Sequence, residues 1–137
     1  MKLEFIIVCD NAFFDRSDRL SIIQAFDLIE APSFPAIHPR ISIATKWNFE
    51  KGDDKSIAYK QKLVIIRKKT GKTIFETAER KLTAKPQDIS LQYINAVSGL
   101  KFDSEGVYKV RVFMNGKKQE REASLNVKTK ENQPRRN

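Results

Sequence analysis

The sequence predicts an all-β protein, a two-sheet antiparallel sandwich of about eight strands. Two observations carry this. From Gly106 to Met114 the apolar side chains of Tyr108, Val110, Val112 and Met114 alternate with Lys109 and Arg111. That is the period of a half-buried strand. The run ends in Asn115-Gly116, a pair that tolerates positive φ and suits a tight hairpin, and Ala123, Leu125 and Val127 alternate on the return. Similar short runs, separated by turn signals and without a strong helical period, fill the rest of the chain.

The first strand is expected from Lys2 to Asp10. Leu3, Phe5, Ile7 and Cys9 share one face, and Ile6 and Val8 make the other face apolar too. Such a strand is either central or completed by another chain. Asn11 to Asp18 reads as a polar turn carrying Phe13 and Phe14. A second strand follows from Arg19 to Ile29. Glu30 to Pro39 holds Pro32, Pro35 and Pro39 and reads as a connection, because proline cannot donate to a ladder.

The third strand, Arg40 to Glu50, points Ile41, Ile43, Thr45, Trp47 and Phe49 inward. Lys51 to Lys55 is a turn. A fourth strand from Ile57 to Lys68 turns at Thr70-Gly71 into a fifth, Thr73 to Thr83, whose Glu76, Glu79, Arg80 and Lys81 suit an edge. Lys85 to Asp88 breaks the chain. Ile89 to Phe102 holds the sixth strand, although Leu91 to Val97 also reads as a short helix. The last hairpin supplies strands seven and eight. The expected organisation is one β-sandwich domain over residues 1–128 and a polar, flexible tail over 129–137.

Within the sandwiches, the end of the chain favours an immunoglobulin-like arrangement. Tyr108 follows the turn at Asp103 to Glu105 and opens a strand, as in a tyrosine corner, where the hydroxyl ties back to the preceding turn. Trp47 fits a buried core tryptophan. Val110 stands where the second cysteine of an inter-sheet disulfide would be. A C2-like or jelly-roll sandwich is the alternative.

Several short motifs occur in order: Cys9-Asp10-Asn11-Ala12, the strand from Leu20 to Asp27, the stretch from Phe34 to Pro39, and Gly106-Val107-Tyr108. Together they resemble a family of small bacterial proteins classed only as a domain of unknown function. The resemblance covers most of the chain and implies a bacterial β-sandwich. It brings no catalytic residues. Gln24 departs from the pattern, standing where it has a glycine.

Composition bounds the function. A chain of 137 residues is one domain by length and buries enough surface to need neither disulfide nor metal. The single cysteine, Cys9, forms no internal disulfide, and no segment is long and apolar enough to be a signal or membrane helix. A soluble, cytoplasmic protein is expected, with no membrane contact. The net charge of +9 raises the prior for an anionic partner, although lysines on solvent faces are also ordinary protection against aggregation.

No catalytic, metal or cofactor motif appears, so neither enzyme activity nor a cofactor nor a small-molecule substrate is expected. His38 is the only histidine and reads as a hydrogen-bond tie for the proline-rich loop. Cys9 lies on an apolar strand face and reads as core. Asp10, Asp15, Asp18, Asp53, Asp54 and Asp103 flank turns and read as turn formers rather than calcium ligands.

Two surfaces are candidates. Phe13, Phe14, Phe34 and Ile37 lie in connections and either plug the sandwich ends or form a protein-docking patch. Arg67, Lys68, Lys69 and Lys72 on one hairpin tip, with Lys117 and Lys118 on another, would track phosphates if the tips shared a side. The leading expectation is a non-enzymatic protein-binding or assembly module, acting on a protein partner or on itself. A basic nucleic-acid-associated protein is the alternative.

Overall fold

The computed structural model describes residues 1–131. The strands are β1 Lys2–Phe14, β2 Leu20–Ala25, β3 Leu28–Ala31, β4 Ala36–Asn48, β5 Tyr59–Arg67, β6 Thr73–Glu76, β7 Arg80–Leu82, β8 Ser90–Phe102, β9 Gly106–Met114 and β10 Lys117–Thr129. They form a four-stranded sheet in the order β2-β1-β4-β8 and a six-stranded sheet in the order β3-β10-β9-β5-β6, with β7 also on β5. All pairs are antiparallel except β3 with β10. The fold is the expected all-β sandwich.

The alternation read from the sequence builds the core between the sheets. Ile41, Ile43 and Trp47 of β4 meet Tyr108, Val110 and Val112 of β9 and Leu125 and Val127 of β10 in one buried cluster. Trp47 is fully buried, so its indole N–H needs a partner. It donates to Gln61 Oε1 on β5 at 2.7 Å, and the Thr45 hydroxyl donates to the same oxygen at 2.8 Å. This bond ties the four-stranded sheet to the six-stranded one. The expected corner is present as well: the Tyr108 hydroxyl donates to the Ser104 carbonyl at 2.8 Å, and the Tyr108 ring meets Phe102 edge-on.

The strand boundaries differ from the sequence reading in ways that have physical causes. The turn after β1 is tighter than Asn11 to Asp18. β1 runs on to Phe14, because Ala12, Phe13 and Phe14 pair with Ile22, Ser21 and Leu20. Asp15 then closes the turn, its Oδ1 accepting the amides of Ser17 and Arg19. β1 is central, between β2 and β4, which explains its two apolar faces.

The single strand expected from Arg19 to Ile29 is two strands in two sheets. Gln24 has φ 53°, a left-handed conformation that redirects the chain. The Phe26 amide still bonds Val8 in the first sheet, whereas the Asp27 carbonyl accepts from Asn126 in the second. Glycine would take this conformation without the strain that an L-residue carries there.

The strand expected from Thr73 to Thr83 is likewise broken into β6 and β7. The amide of Thr77 donates to the Leu63 carbonyl, and the Thr77 hydroxyl accepts from the Leu63 amide. Pro39 lies inside β4 rather than in a connection. Its position falls beyond the last β1–β4 pair, Cys9 with Ser42, so its missing N–H breaks no bond to β1. Leu91 to Val97 is strand, not helix, paired along β4. β10 extends through Thr129, beyond the expected domain end at 128: Lys128 and Thr129 pair with Glu30 and Ala31, and Lys130 donates to the Ala31 carbonyl. The rest of the expected tail, residues 132–137, lies outside the described residues.

Three stability outcomes follow, all measurable by denaturant titration. Tyr108→Phe removes the bond to Ser104 and should cost about 1 kcal/mol. Gln61→Leu leaves the indole N–H of Trp47 buried without its acceptor and the Thr45 hydroxyl with only the Tyr93 carbonyl at 3.5 Å, and should cost about 2 kcal/mol. Gln24→Gly removes the strain of an L-residue at positive φ, and should stabilise by about 1 kcal/mol.

Candidate functional site

Because a strand alternates, the residues of β4 between those of the core point to the opposite surface. Ala44, flanked by Ile43 and Thr45, pairs with Ile7 and Ile94. It is nevertheless fully buried, as is Cys9. Together with Ala12 they form a second apolar cluster, ringed by Phe5, Leu20, Ile22 and Ile94. The outer face of the four-stranded sheet is thus apolar along its centre. The outer face of the six-stranded sheet is charged instead, with Lys109 and Arg111 paired to Glu122 and Lys62 paired to Glu76.

The sheet edges are unequal. β2 has 6 residues, β3 and β6 have 4 each, and β7 has 3. Such short edges are a common way of keeping a sheet from pairing with another chain. β8 is also an edge, and it has 13 residues. In a chain that is 31% charged, Ser90 to Gly99 contains no charged residue and no proline. One side of β8 pairs with β4 from Asn48–Ser90 to Ala36–Phe102. On its other side, no backbone bond to another element involves residues 90–102 among the described residues. Ala96 and Ser98 are exposed along this edge. Gly99, with φ 64°, interrupts the strand, which pairs on with β4 to Phe102.

The basic residues singled out from the sequence do not share one surface. Arg67, Lys68 and Lys69 line a cleft of about 680 Å³ together with Gly106, Val107 and Lys128. Lys117 and Lys118 line another of about 590 Å³ with Met1, Lys2 and Arg121. The first lies where Arg67 pairs with Tyr108, the second where Met114 pairs with Lys117. The length of β9 between those pairs separates the tips by about 20 Å.

In the first cleft the Arg67 guanidinium donates through Nη2 to the Glu105 carbonyl at 3.1 Å. Its Nε is buried without a partner among the described residues and lies where a Cβ on Gly106 would come within 3.4 Å. The Glu105 carboxylate accepts the Thr129 amide; the Thr129 side chain and then that amide hold its pKa below the usual carboxylate value, with Lys128 adding to the effect. Lys72 faces Asp103 at 3.8 Å.

The loop aromatics also divide. Phe34 is half-buried and packs against the main core. Phe13 and Phe14 are exposed on the β1–β2 hairpin, and Ile37, 67% exposed, stands on β4 opposite Lys101. Only Phe34 acts as the plug that the sequence allowed.

The remaining candidates have local structural roles. Cys9 donates its thiol toward the Ser42 carbonyl at 3.4 Å, and burial raises its pKa, which keeps the thiol protonated. His38 does not tie the loop by a side-chain hydrogen bond among the described residues. It stands in β4 with its ring tilted against Phe26, 5.9 Å between centroids. Asp15, Asp53 and Asp54 accept backbone amides of their own turns and are held below the usual carboxylate pKa, chiefly by those bonds or, for Asp54, by the Ser56 hydroxyl. Asp53 also meets the N-terminal ammonium at 2.9 Å.

The sequence places the strand, Ile89 to Phe102, but not its standing at a sheet edge. The signal available was an absence, a long uncharged run in a charged chain. Which side of a strand lacks a neighbour is not written in its own residues.

Fold and surface together define a small two-sheet β-sandwich protein with one long, uncharged open edge. The chain belongs to a family of unknown function, DUF6941, whose family model matches residues 4–128. This agrees with the resemblance carried by the motifs from Cys9 to Tyr108. No curated protein matches the chain.

Proposed function

We propose that this protein is a non-enzymatic assembly module that binds protein by adding a strand to β8. The observation that carries this reading is the contrast among edges: short ones elsewhere, and a 13-residue edge without charge from Ser90 to Gly99. An open edge offers a row of backbone donors and acceptors, and strand addition uses them for affinity while alternate side chains give selectivity. The apolar cluster around Ala44 includes Ile94 of β8, so a docked strand would extend an apolar outer face. The buried free thiol of Cys9 supports a reducing, cytoplasmic setting.

The same reading takes the sandwich as immunoglobulin-like. If β4 and β8 stand for strands B and E, then β6, β5, β9 and β10 follow the C′-C-F-G order of that fold. The Tyr108 corner on β9 supports the assignment. Trp47 departs from it, standing on β4 where antibody domains carry their tryptophan on strand C.

A nucleic-acid role is the second reading, favoured by the three lysines and Arg67 around one cleft. The separation of the two basic tips weighs against a continuous phosphate track.

Affinity capture from the native cell, with and without nuclease, separates the two readings. Ala96→Lys with Ser98→Lys should abolish capture of protein partners, and Lys68→Glu with Lys69→Glu should leave it intact. Capture that is lost on nuclease treatment or on charge reversal at Lys68 and Lys69, and that survives the β8 substitutions, would contradict the proposal.

A further inference from the structure

Resting on the strand-addition reading, we infer that the occupant of the β8 edge is a second copy of this chain, paired antiparallel about a two-fold axis. Charge and register both favour this occupant. Each copy carries +9, so most mutual approaches bring like charges together, at a cost that a stable contact has to offset. β8 is the long edge where this does not happen, because the uncharged segment of one copy meets the uncharged segment of the other.

A two-fold contact is self-complementary: if residue i faces residue j, then j faces i. Antiparallel pairing meets that condition and also gives the perpendicular hydrogen bonds of an ordinary ladder. The register centred on Ile94 sets Ser90 of one copy against Ser98 of the other, Leu91 against Val97, Gln92 against Ala96 and Tyr93 against Asn95. It matches Ser90 to Ser98 with itself, sets Gly99 against the uncharged Ile89 and keeps Lys101 outside the run.

The side chains suit this closure. On the outer surface Ser90, Ala96 and Ser98 are small. Ile94, half-buried against the cluster of Cys9 and Ala44, sits at the axis. Two four-stranded sheets joined in this way form one continuous sheet in the order β2-β1-β4-β8-β8-β4-β1-β2, and the two apolar outer faces become one surface. Once both β8 strands are internal, the remaining edges are the short ones.

Sedimentation of the purified full chain, from low micromolar to sub-millimolar concentration at physiological salt, tests this. Wild type should reach twice the monomer mass. Ala96→Lys with Ser98→Lys, at exposed positions that leave the core untouched, should remain monomeric while keeping the wild-type circular dichroism spectrum. Phe13→Lys on the distant hairpin should dimerise like wild type. Ile94→Cys should form an intermolecular disulfide under mild oxidation, because Cys9 is buried and the axis brings the two new thiols face to face. A wild type that is monomeric throughout, or a dimer that survives the β8 lysines, would overturn the inference. A monomeric wild type whose capture of a different protein still depends on Ala96 and Ser98 would overturn self-pairing alone and leave strand addition in place.

Discussion

The structure depends on the bond between Trp47 and Gln61. These two side chains stand on different sheets, and both are almost wholly buried. Apolar packing between sheets is non-directional and would tolerate sliding. A buried indole N–H that must find an acceptor does not tolerate it, since an unpaired donor there would cost as much as the contact gains. With Gln61 Oε1 also accepting from Thr45, one oxygen fixes β4 over β5. From that anchor the positions of the other strands follow. β1 and β8 flank β4 in one sheet, and β9 and β7 pair with β5 in the other.

The second constraint is the crossing at Gln24 to Asp27. Positive φ falls at Gln24, one residue before β2 ends at Ala25, and the next residues bond first to Val8 and then to Asn126. A chain that leaves one sheet for the other in so few residues closes the sandwich on that side. Nothing equivalent happens on the far side. β7 joins β5, β8 joins β4, and among the described residues no strand pairs with the far side of β8, although β6 of the other sheet lies near it. The open edge is therefore a consequence of topology, with one side sealed by a crossing strand and the other not.

Much of this architecture was legible in the sequence. The period-two patterns of β4, β9 and β10 put Ile41, Ile43, Trp47, Tyr108, Val110, Val112, Leu125 and Val127 in one core, and the structure places them there. Tyr108 after a turn gave away its corner. The break at Gln24 was not visible, because Leu20 to Ile29 keeps an apolar pattern across two sheets and the residue at positive φ is not glycine. Asn11 read as a turn because the hairpin's pairing compensates for its low strand propensity. The candidate surfaces were the least legible part. Hairpin tips and loop aromatics announce themselves locally, but whether Lys68 shares a face with Lys118, or whether β8 has a neighbour, is decided by strand order.

The measurement that tests the account most directly is amide hydrogen exchange on the assembled protein compared with the dilute protein. Amides on the open side of Ser90 to Ser98 should exchange freely when the chain is alone and slow strongly on assembly, while those of β2 and β6 stay as they were. Protection gained at the basic cleft of Arg67 and Lys128, or across the β1–β2 hairpin, with β8 unchanged, would contradict it.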